Sequence, residues 1–568
     1  MKNQVNSKNL KKQCFKNEKK TIQLSKTRTL SICIILCICL FACKKIEPEQ
    51  STLLPSNKNN GKGISVSSTG NLWYDRFVTY ESVSGSAYYN NTNAGVLGWQ
   101  ESYMLRSYVT MYELTKDTGW LTKLTTHADA IIANATDLGG DGYLDWGSTS
   151  YGDGGNYPYL VFDGLISLGM AQFIRLVDRD PVGLSAFASK ANSYQNFIED
   201  EIVPKWVSSS SYTGNCWVQL SSSTGYFREP FTFDSFSSSS VFNPLPYNMM
   251  APYAEMLWTM YDVNGNTSYR DKANHMVQYF KNGLTANGTG YKWWYCNIAS
   301  PHYEDTSHGN LTVSMAIESY NRGGTISGSH IAGLSNTFTT YMWNQSLSSP
   351  LVKDYVDGTG TTYSDTRLLT GWINMTEFNS KAWTIAAEQF RSVNPTSFNS
   401  AFLYTQIMKW DPVKVQNQGF EYKFFSDATL PARWTRGGGT SSNIRLTTAE
   451  KYSGEASIAI TSTSGDGVWQ MLYQDWKEWE PSTTYEVNFK VKTTGSAGAK
   501  IFMYNTSTSS VVGTTHSYDS PAWSSQSFTF TTPASGPNLR LYLENRDLSN
   551  AGTAYFDDVV IKKSGDAW

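Results

Sequence analysis

The densest run of reactive side chains is Tyr291-Lys292-Trp293-Trp294-Tyr295, followed by His302-Tyr303-Glu304-Asp305-Thr306-Ser307-His308-Gly309. Imidazole, phenol and carboxylate groups in one short stretch are the groups that move protons in catalysis. Two of the chain's six His fall within seven residues here. Thr306 or Ser307 is expected to cap a helix running on through Leu311 and Met315. That places His302, Tyr303, Glu304 and Asp305 in the loop before it and His308 in its first turn. Loops at the mouth of a rigid scaffold are where catalytic groups tend to sit. The plain structural roles are a His308 bonded to Glu304 or Asp305, and a Tyr295 packed in a core.

The elements that must hold this loop are helical. Leu105, Tyr108, Val109 and Tyr112 fall on one helix face, and Met250, Ala254, Leu257, Trp258 and Tyr261 repeat the pattern. Further helices are expected near 160–178, 182–202, 266–284, 308–321, 330–346 and 398–410. A weak echo supports a repeat: Tyr112 precedes Trp120, and Tyr261 precedes Tyr269, by eight residues, each aromatic opening a helix with a His (His127, His275). Hairpins of this kind bury their faces only by stacking, in a ring or a solenoid. The expected architecture over 72–412 is an (α/α) toroid of five to seven hairpins, with a cleft at one end.

Near residue 415 the period changes to two. Tyr485, Val487, Phe489 and Val491 alternate with polar neighbours, as do Leu539, Leu541 and Leu543, and Phe528 with Phe530. Short alternating strands between Gly/Ser/Thr-rich turns indicate a β-sandwich over 416–568, with the boundary at Asp411–Gln418.

The N-terminus reads as a leader. Residues 1–42 hold nine Lys/Arg and one acid, and end in the 13-residue apolar run Leu30–Ala42. That run is short of the roughly 20 residues a bilayer-spanning helix needs, and has signal-peptide proportions. Leu40-Phe41-Ala42-Cys43 resembles a bacterial lipobox, which implies lipidation at Cys43. Residues 43–71 read as a flexible tether. No later segment reads as long and apolar enough to cross a membrane, so the chain is placed in the cell envelope, anchored to the outer membrane by lipid and monomeric. Without residues 1–42 the formal charge is −10, which argues against nucleic acid as a partner. Of seven Cys, only Cys216 and Cys296 fall in the globular part, as a disulfide or as two thiols. Nothing has zinc-type spacing, and no catalytic cofactor is expected.

Several C-terminal segments resemble jelly-roll carbohydrate-binding modules. They are Asn417-Gln418-Gly419-Phe420-Glu421, Trp434, Tyr452-Ser453-Gly454, Pro481–Val487, Trp523 and Tyr555-Phe556-Asp557-Asp558-Val559-Val560-Ile561. The resemblance implies a structural calcium, with Glu421 and Asp558 as its oxygen ligands. Sugar binding needs flat aromatic faces, and Trp469, Tyr473, Trp476, Trp479 and Tyr504 are the candidates.

The Tyr303–Gly309 stretch, with Trp99-Gln100-Glu101 and Asn243–Asn248, resembles (α/α)-barrel polysaccharide lyases acting on alginate- or glucuronan-like polymers. Such a lyase neutralises the uronate carboxylate, removes the C5 proton with a Tyr or His base, and returns a proton to the leaving oxygen. Tyr295, Tyr303, His302 and His308 are the base and acid candidates. Arg228 and Asn248 could neutralise the carboxylate, Trp99 and Trp294 could stack on rings, and Glu101 and Tyr247 are further substrate-binding candidates. A glycoside hydrolase would instead need two carboxylates, drawn from Glu101, Asp163, Glu304 and Asp305 and roughly 6.5–9.5 Å apart if inverting. A surface glycan-binding lipoprotein without catalysis is the third reading.

Overall fold

A computed structural model describes residues 71–565, except 150–154, 208–215, 229–243, 296–302, 347–348, 364–369, 412–417, 421–422, 425–426, 432, 455, 464–469, 477–478, 536–538 and 546–550. The leader, Cys43, His302, Trp469, Glu421 and Cys296 lie outside the described residues.

The N-terminal part is helical, in two kinds of helix. One kind is buried on every side: α3 (Ser102–Thr115), α5 (Leu160–Arg179), α8 (Tyr247–Asn264), α10 (Thr306–Asn321) and α13 (Phe398–Lys409). On α3 every residue from Ser102 to Tyr112 is buried. The other kind buries one face: α1 (Leu72–Ser84), α4 (Gly119–Ala133), α6 (Ala188–Phe197), α9 (Thr267–Gly283), α11 (Gly328–Asn336) and α12 (Lys381–Phe390). A one-sided apolar stripe belongs at the outside of a helical layer, and an all-round one belongs inside. Two short helices complete the set, α2 (Ala94–Val96) before α3 and α7 (Val203–Val207) after α6.

The buried elements follow one another in a defined order. α3 packs on α5, α5 on α8, α8 on α10, and α10 on a 3-10 segment, Trp372–Glu377. That segment packs on α13, and α13 returns to α3 and α1. Trp73 of α1 stacks on Tyr404 of α13 at 5.5 Å, and Gln406 donates to Thr110 Oγ1 at 3.1 Å. α5 and α8 approach closely at Gly164, where a Cβ would lie 2.6 Å from the Tyr253 nitrogen.

The echo in the sequence has a structural cause. Lys116 ends α3 and Gly265 ends α8 in the left-handed conformation, at φ 57° and 69°, their N–H groups donating to Tyr112 and Tyr261 carbonyls. α4 and α9 then begin, and bury Trp120 and Tyr269. One expectation fails. α5 is long and apolar enough to cross a membrane, with a mean hydropathy of 1.6, yet 89% of that window is buried in the protein. Its apolarity serves a core in contact on all sides.

The C-terminal part is a sandwich of two five-stranded antiparallel sheets, ordered β10-β11-β18-β13-β16 and β15-β14-β17-β12-β9. The strands that carry the argument are β9 (Thr435–Gly438), β10 (Ile444–Thr447), β11 (Ser457–Ser462), β12 (Met471–Trp476), β13 (Thr484–Gly495), β14 (Ala499–Asn505), β15 (Ser510–Tyr518), β16 (Ser524–Thr531), β17 (Leu539–Asn545) and β18 (Gly552–Lys563). The alternating positions read from sequence are its core: Tyr485, Val487, Phe489 and Val491 on β13, Leu539, Leu541 and Leu543 on β17, and Phe528 and Phe530 on β16. Register follows from that alternation, since a slip of one residue would turn the whole apolar set outward. Val487 faces Phe528, and Leu543 faces Ile501.

Arg433 joins the two parts. Its Nε donates to Glu377 Oε1 at 3.0 Å, its guanidinium lies 4.6 Å over the Phe378 ring, and Glu377 Oε2 also accepts from Asn321 at 3.0 Å.

Candidate functional site

The cap of α10 organises the reactive loop. Asp305, not Thr306 or Ser307, is its N-cap, in extended conformation, and accepts from the Ser307 and His308 backbone nitrogens at 2.9 and 3.1 Å. Thr306 is diverted, its hydroxyl donating to the Lys353 carbonyl at 2.5 Å and so tying α10 to the strand β5 (Val352–Lys353). The other Asp305 oxygen meets His308 Nδ1 at 2.5 Å, and the Tyr295 ring lies edge-on to His308 at 5.2 Å. Burial works to raise the Asp305 pKa, but the His308 charge and the hydrogen bonds from His308 and Ser307 outweigh it, holding the carboxyl well below the usual range. A carboxylate on Nδ1 sets the proton there and leaves Nε2 as the proton-accepting nitrogen. The His308 side chain is 26% exposed, so Nε2 can meet a substrate.

Tyr303, Glu304 and Asp305 are extended, with bridges from Tyr303 to Trp294 and from Asp305 to Tyr355. Successive side chains therefore point to opposite sides. Tyr303 stacks on Trp294 at 4.1 Å and 14°, with Lys292 Nζ 4.5 Å from its ring. Glu304 turns the other way and is wholly buried. It accepts from Trp293 Nε1 and, at 3.3 Å, from Thr312, while its Oε1 has no hydrogen-bond partner among the described residues. Burial, with the Asp305 charge beside it, pushes its pKa well above the ordinary value and so favours the neutral acid.

The remaining candidates, Arg228 apart, sit at the starts of other buried helices. Glu101 ends a π turn, Leu97–Glu101, that feeds α3. It meets His127 Nδ1 at 2.7 Å, and Tyr89 stacks on His127 at 4.4 Å. Burial raises Glu101 and lowers His127 to about 4. Trp99 packs edge-on against Phe162, and its carbonyl accepts from Asn399. Tyr247 and Asn248 open α8 and are buried, both amide atoms of Asn248 lacking hydrogen-bond partners among the described residues. Arg228 is half-buried, its backbone bridged to Pro244. Asp163 is taken up by Lys205 and Trp206, each at 2.7 Å.

The sandwich carries a different surface. On the sheet β15-β14-β17-β12-β9, the positions opposite the core fall into register as three rows across β12, β17 and β14. The middle row is Tyr473, Tyr542 and Phe502, with ring separations of 5.5 and 5.1 Å; Phe502 is buried against Tyr542, and the two half-buried tyrosines offer the faces. One flanking row is Asp475, Arg540 and Tyr504, with Arg540 bonded to Asp475 at 2.7 Å and lying 3.7 Å over the Tyr473 ring. The other is Met471, Glu544 and Lys500, with Lys500 paired to Glu544 at 2.6 Å. A strip of aromatic faces edged by carboxylate and guanidinium suits the apolar faces and hydroxyls of a sugar chain. Residues 414–551 match the family described as Carbohydrate binding domain. The C-terminal domain is thus a carbohydrate-binding module, and polysaccharide is its binding partner.

Solved structures add likenesses of sandwich size. The CBM22-1 xylan-binding domain of Paenibacillus barcinonensis Xyn10C is 18% identical over 26% of this chain and 90% of its own, with a TM-score of 0.20. A structure described as CBM4 structure and function is 19% identical over 23% and 86%, at 0.18. TmCBM61 in complex with β-1,4-galactotriose is 13% identical over 26% and 97%, at 0.20. No curated protein matches the chain.

The module corrects two sequence expectations. Trp476 is a core residue, edge-on to Tyr485 and Phe530 at 4.9 and 5.7 Å, so it offers no face to a sugar. Trp479 is half-buried, packed against the same core. Tyr473 and Tyr504 are on the strip, whereas Tyr542, Phe502, Arg540 and Asp475 were missed, although the alternation that buries Leu539, Leu541 and Leu543 already turns Arg540 and Tyr542 outward. Both Asp558 oxygens accept from the Ser453 hydroxyl at 3.0 Å. Beside it Asp557, accepting from the Tyr452 and Ser453 nitrogens, is pushed up to about 8 by burial and by the Asp558 charge. Among the described residues no three His, Cys, Asp or Glu side chains converge as a metal site.

Proposed function

We propose that the helical domain is an (α/α) toroid that cleaves a uronic-acid polysaccharide by β-elimination, while the module holds the polymer. The return of α13 to α3 supports the ring. The Asp305–His308–Tyr295 cluster carries the catalytic reading: an ionised carboxylate fixes the imidazole, and a phenol lies against it. In this mechanism His308 Nε2 removes the C5 proton, the electron pair forms the C4–C5 double bond, and the C4–O bond breaks. Tyr295 protonates the leaving oxygen. Lys292, 4.5 Å from the Tyr303 ring, is a cation that could neutralise the uronate carboxylate, and Trp294 with Tyr303 offers a ring platform.

The hydrolase reading finds less support, because each carboxylate it would use is already engaged. Glu304 is buried against Trp293, Glu101 against His127, Asp163 against Lys205, and Asp305 caps α10. Incubation with uronate polymers separates the readings. Unsaturated, ultraviolet-absorbing ends support elimination; reducing ends without them would overturn it, and no cleavage at all favours a binding protein. A lipid anchor at Cys43 and an envelope location complete the proposal, tested by loss of membrane association in Cys43→Ala. A structural calcium held by Asp558 and by Glu421, which lies outside the described residues, belongs to the same proposal. Chelation should then lower the module's melting temperature.

A further inference from the structure

The second sheet of the module also carries aromatic side chains on its outer side, and they differ in charge from the strip. Tyr452, in the loop between β10 and β11, is 48% exposed. Trp523, just before β16, lies 6.1 Å from it at 64°, and Tyr555 of β18 lies 6.4 Å beyond Trp523 at 57°. Lys490 of β13 places its Nζ 4.4 Å from the Tyr452 ring centroid, and donates to Ser525 Oγ at 2.6 Å. Lys492, in register with Tyr555, is paired to Glu450 at 2.6 Å.

Lys490 is the distinctive group. Its register partner across the sheet is Asp557, but Asp557 is buried and turned onto the Tyr452 and Ser453 nitrogens. Among the described residues Lys490 therefore has an aromatic face and a hydroxyl, and no carboxylate. On the strip, by contrast, Arg540 and Lys500 are each matched by an acid. An ammonium held over a tyrosine, beside a second flat ring, is complementary to a sugar whose ring stacks and whose substituent is an anion.

We infer that the module has a second saccharide site, formed by Tyr452, Trp523, Tyr555 and Lys490 on the sheet opposite the strip, and that it takes carboxylated sugars. The inference deepens the proposed function, because it rests on a uronate polymer being the substrate. Lys490 meets the carboxylate, and Tyr452 and Trp523 meet the ring faces. The self-neutralised strip takes the chain wherever its rings are uncharged.

Calorimetric titration of the full chain with hexameric oligoglucuronate, and separately with neutral xylohexaose, tests this. Lys490→Gln and Tyr452→Ala should each weaken oligoglucuronate binding about tenfold and leave xylohexaose binding unchanged; Tyr542→Ala should do the reverse. Both back-sheet side chains are at the surface, so folding is retained, which circular dichroism checks. Unchanged oligoglucuronate affinity in both variants, or no oligoglucuronate binding by the wild type, overturns the second site. The lyase proposal fails separately, when the wild type binds oligoglucuronate through Lys490 yet produces no unsaturated ends.

Discussion

Replacing Asp305 with Asn separates its two jobs. As N-cap it accepts from two backbone nitrogens, and Asn caps a helix about as well. The substitution removes only the charge facing the helix dipole, about 0.3–1 kcal/mol. In a chain this long that moves the melting temperature by no more than about 4 °C. As partner of His308 the carboxylate cannot be replaced by an amide, which presents no charge to the imidazole and can flip to offer N–H instead of oxygen. General-base catalysis contributes typically 10²- to 10⁴-fold, so release of unsaturated ends should fall by at least about a hundredfold in Asp305→Asn. Asp305→Ala should lose the same activity and about 1 kcal/mol more stability, the usual cost of a lost cap. The stability difference between wild type and Asn also has a defined pH window. The folded pKa of Asp305 is depressed, so its contribution is complete above the unfolded value of about 4 and is lost as pH falls toward the folded value. Rates by ultraviolet absorbance and melts at pH 7 and pH 3 measure all of this. Asp305→Asn within twofold of wild-type turnover would refute the reasoning and leave Asp305 as a cap alone.

Glu304→Gln should keep the fold, because burial already disfavours the Glu304 charge. Its folded pKa is raised, so the wild type is penalised above about pH 4.5, by about 1.4 kcal/mol per pH unit until the folded value is reached. The variant should therefore gain relative stability as pH rises above about 4.5 in denaturant titrations, and equal pH dependence in the two proteins would contradict a raised Glu304 pKa. Trp476→Ala should cost about 3–5 kcal/mol by opening the sandwich core, whereas Tyr542→Ala should leave the melt nearly unchanged and weaken glycan binding about tenfold. Affinity gels and thermal melts distinguish them; a stable Trp476→Ala with lost binding would return Trp476 to the sugar face. Arg433→Ala should cost about 1–3 kcal/mol, because Glu377 is then left buried with Asn321 alone. Adding Glu377→Gln should recover part of that loss, and no recovery would mean that Arg433 acts only through its packing on Phe378.

How much was legible depends on the range of the forces involved. α3 and α8 were readable because Leu105, Tyr108, Val109 and Tyr112, or Met250, Ala254 and Trp258, repeat at helical spacing with no outside information. α12 and the Trp372–Glu377 segment went unread: they are short, and they pack chiefly on each other. The cap of α10 was misplaced by one residue for a similar reason. Asp305, Thr306 and Ser307 can all cap, and what decides is the Thr306 bond to Lys353, a partner 47 residues away. On β12 the error was one of phase. Leu472 and Trp476 share a parity and so a face, and once Leu472 is inside, Trp476 must be inside too.

The positions of the joint and the reactive loop constrain how the two domains can cooperate. Tyr295, Asp305 and His308 gather at the N-terminal end of α10, while Arg433 reaches Glu377 beside Asn321, the last residue of that helix. Sixteen residues at about 1.5 Å each separate those ends by about 24 Å. On the proposed cleavage, a sugar unit at the joint is not the unit being cut, and the module's contribution would be to raise the local concentration of polymer. Weakening the strip with Tyr542→Ala should then raise KM severalfold for a long polymer in which uncharged rings alternate with uronates, and leave kcat/KM for a short oligouronate untouched. An equal loss on both substrates would mean that the strip reaches into the cleft itself, and the separation read along α10 would not describe the path of the bound chain.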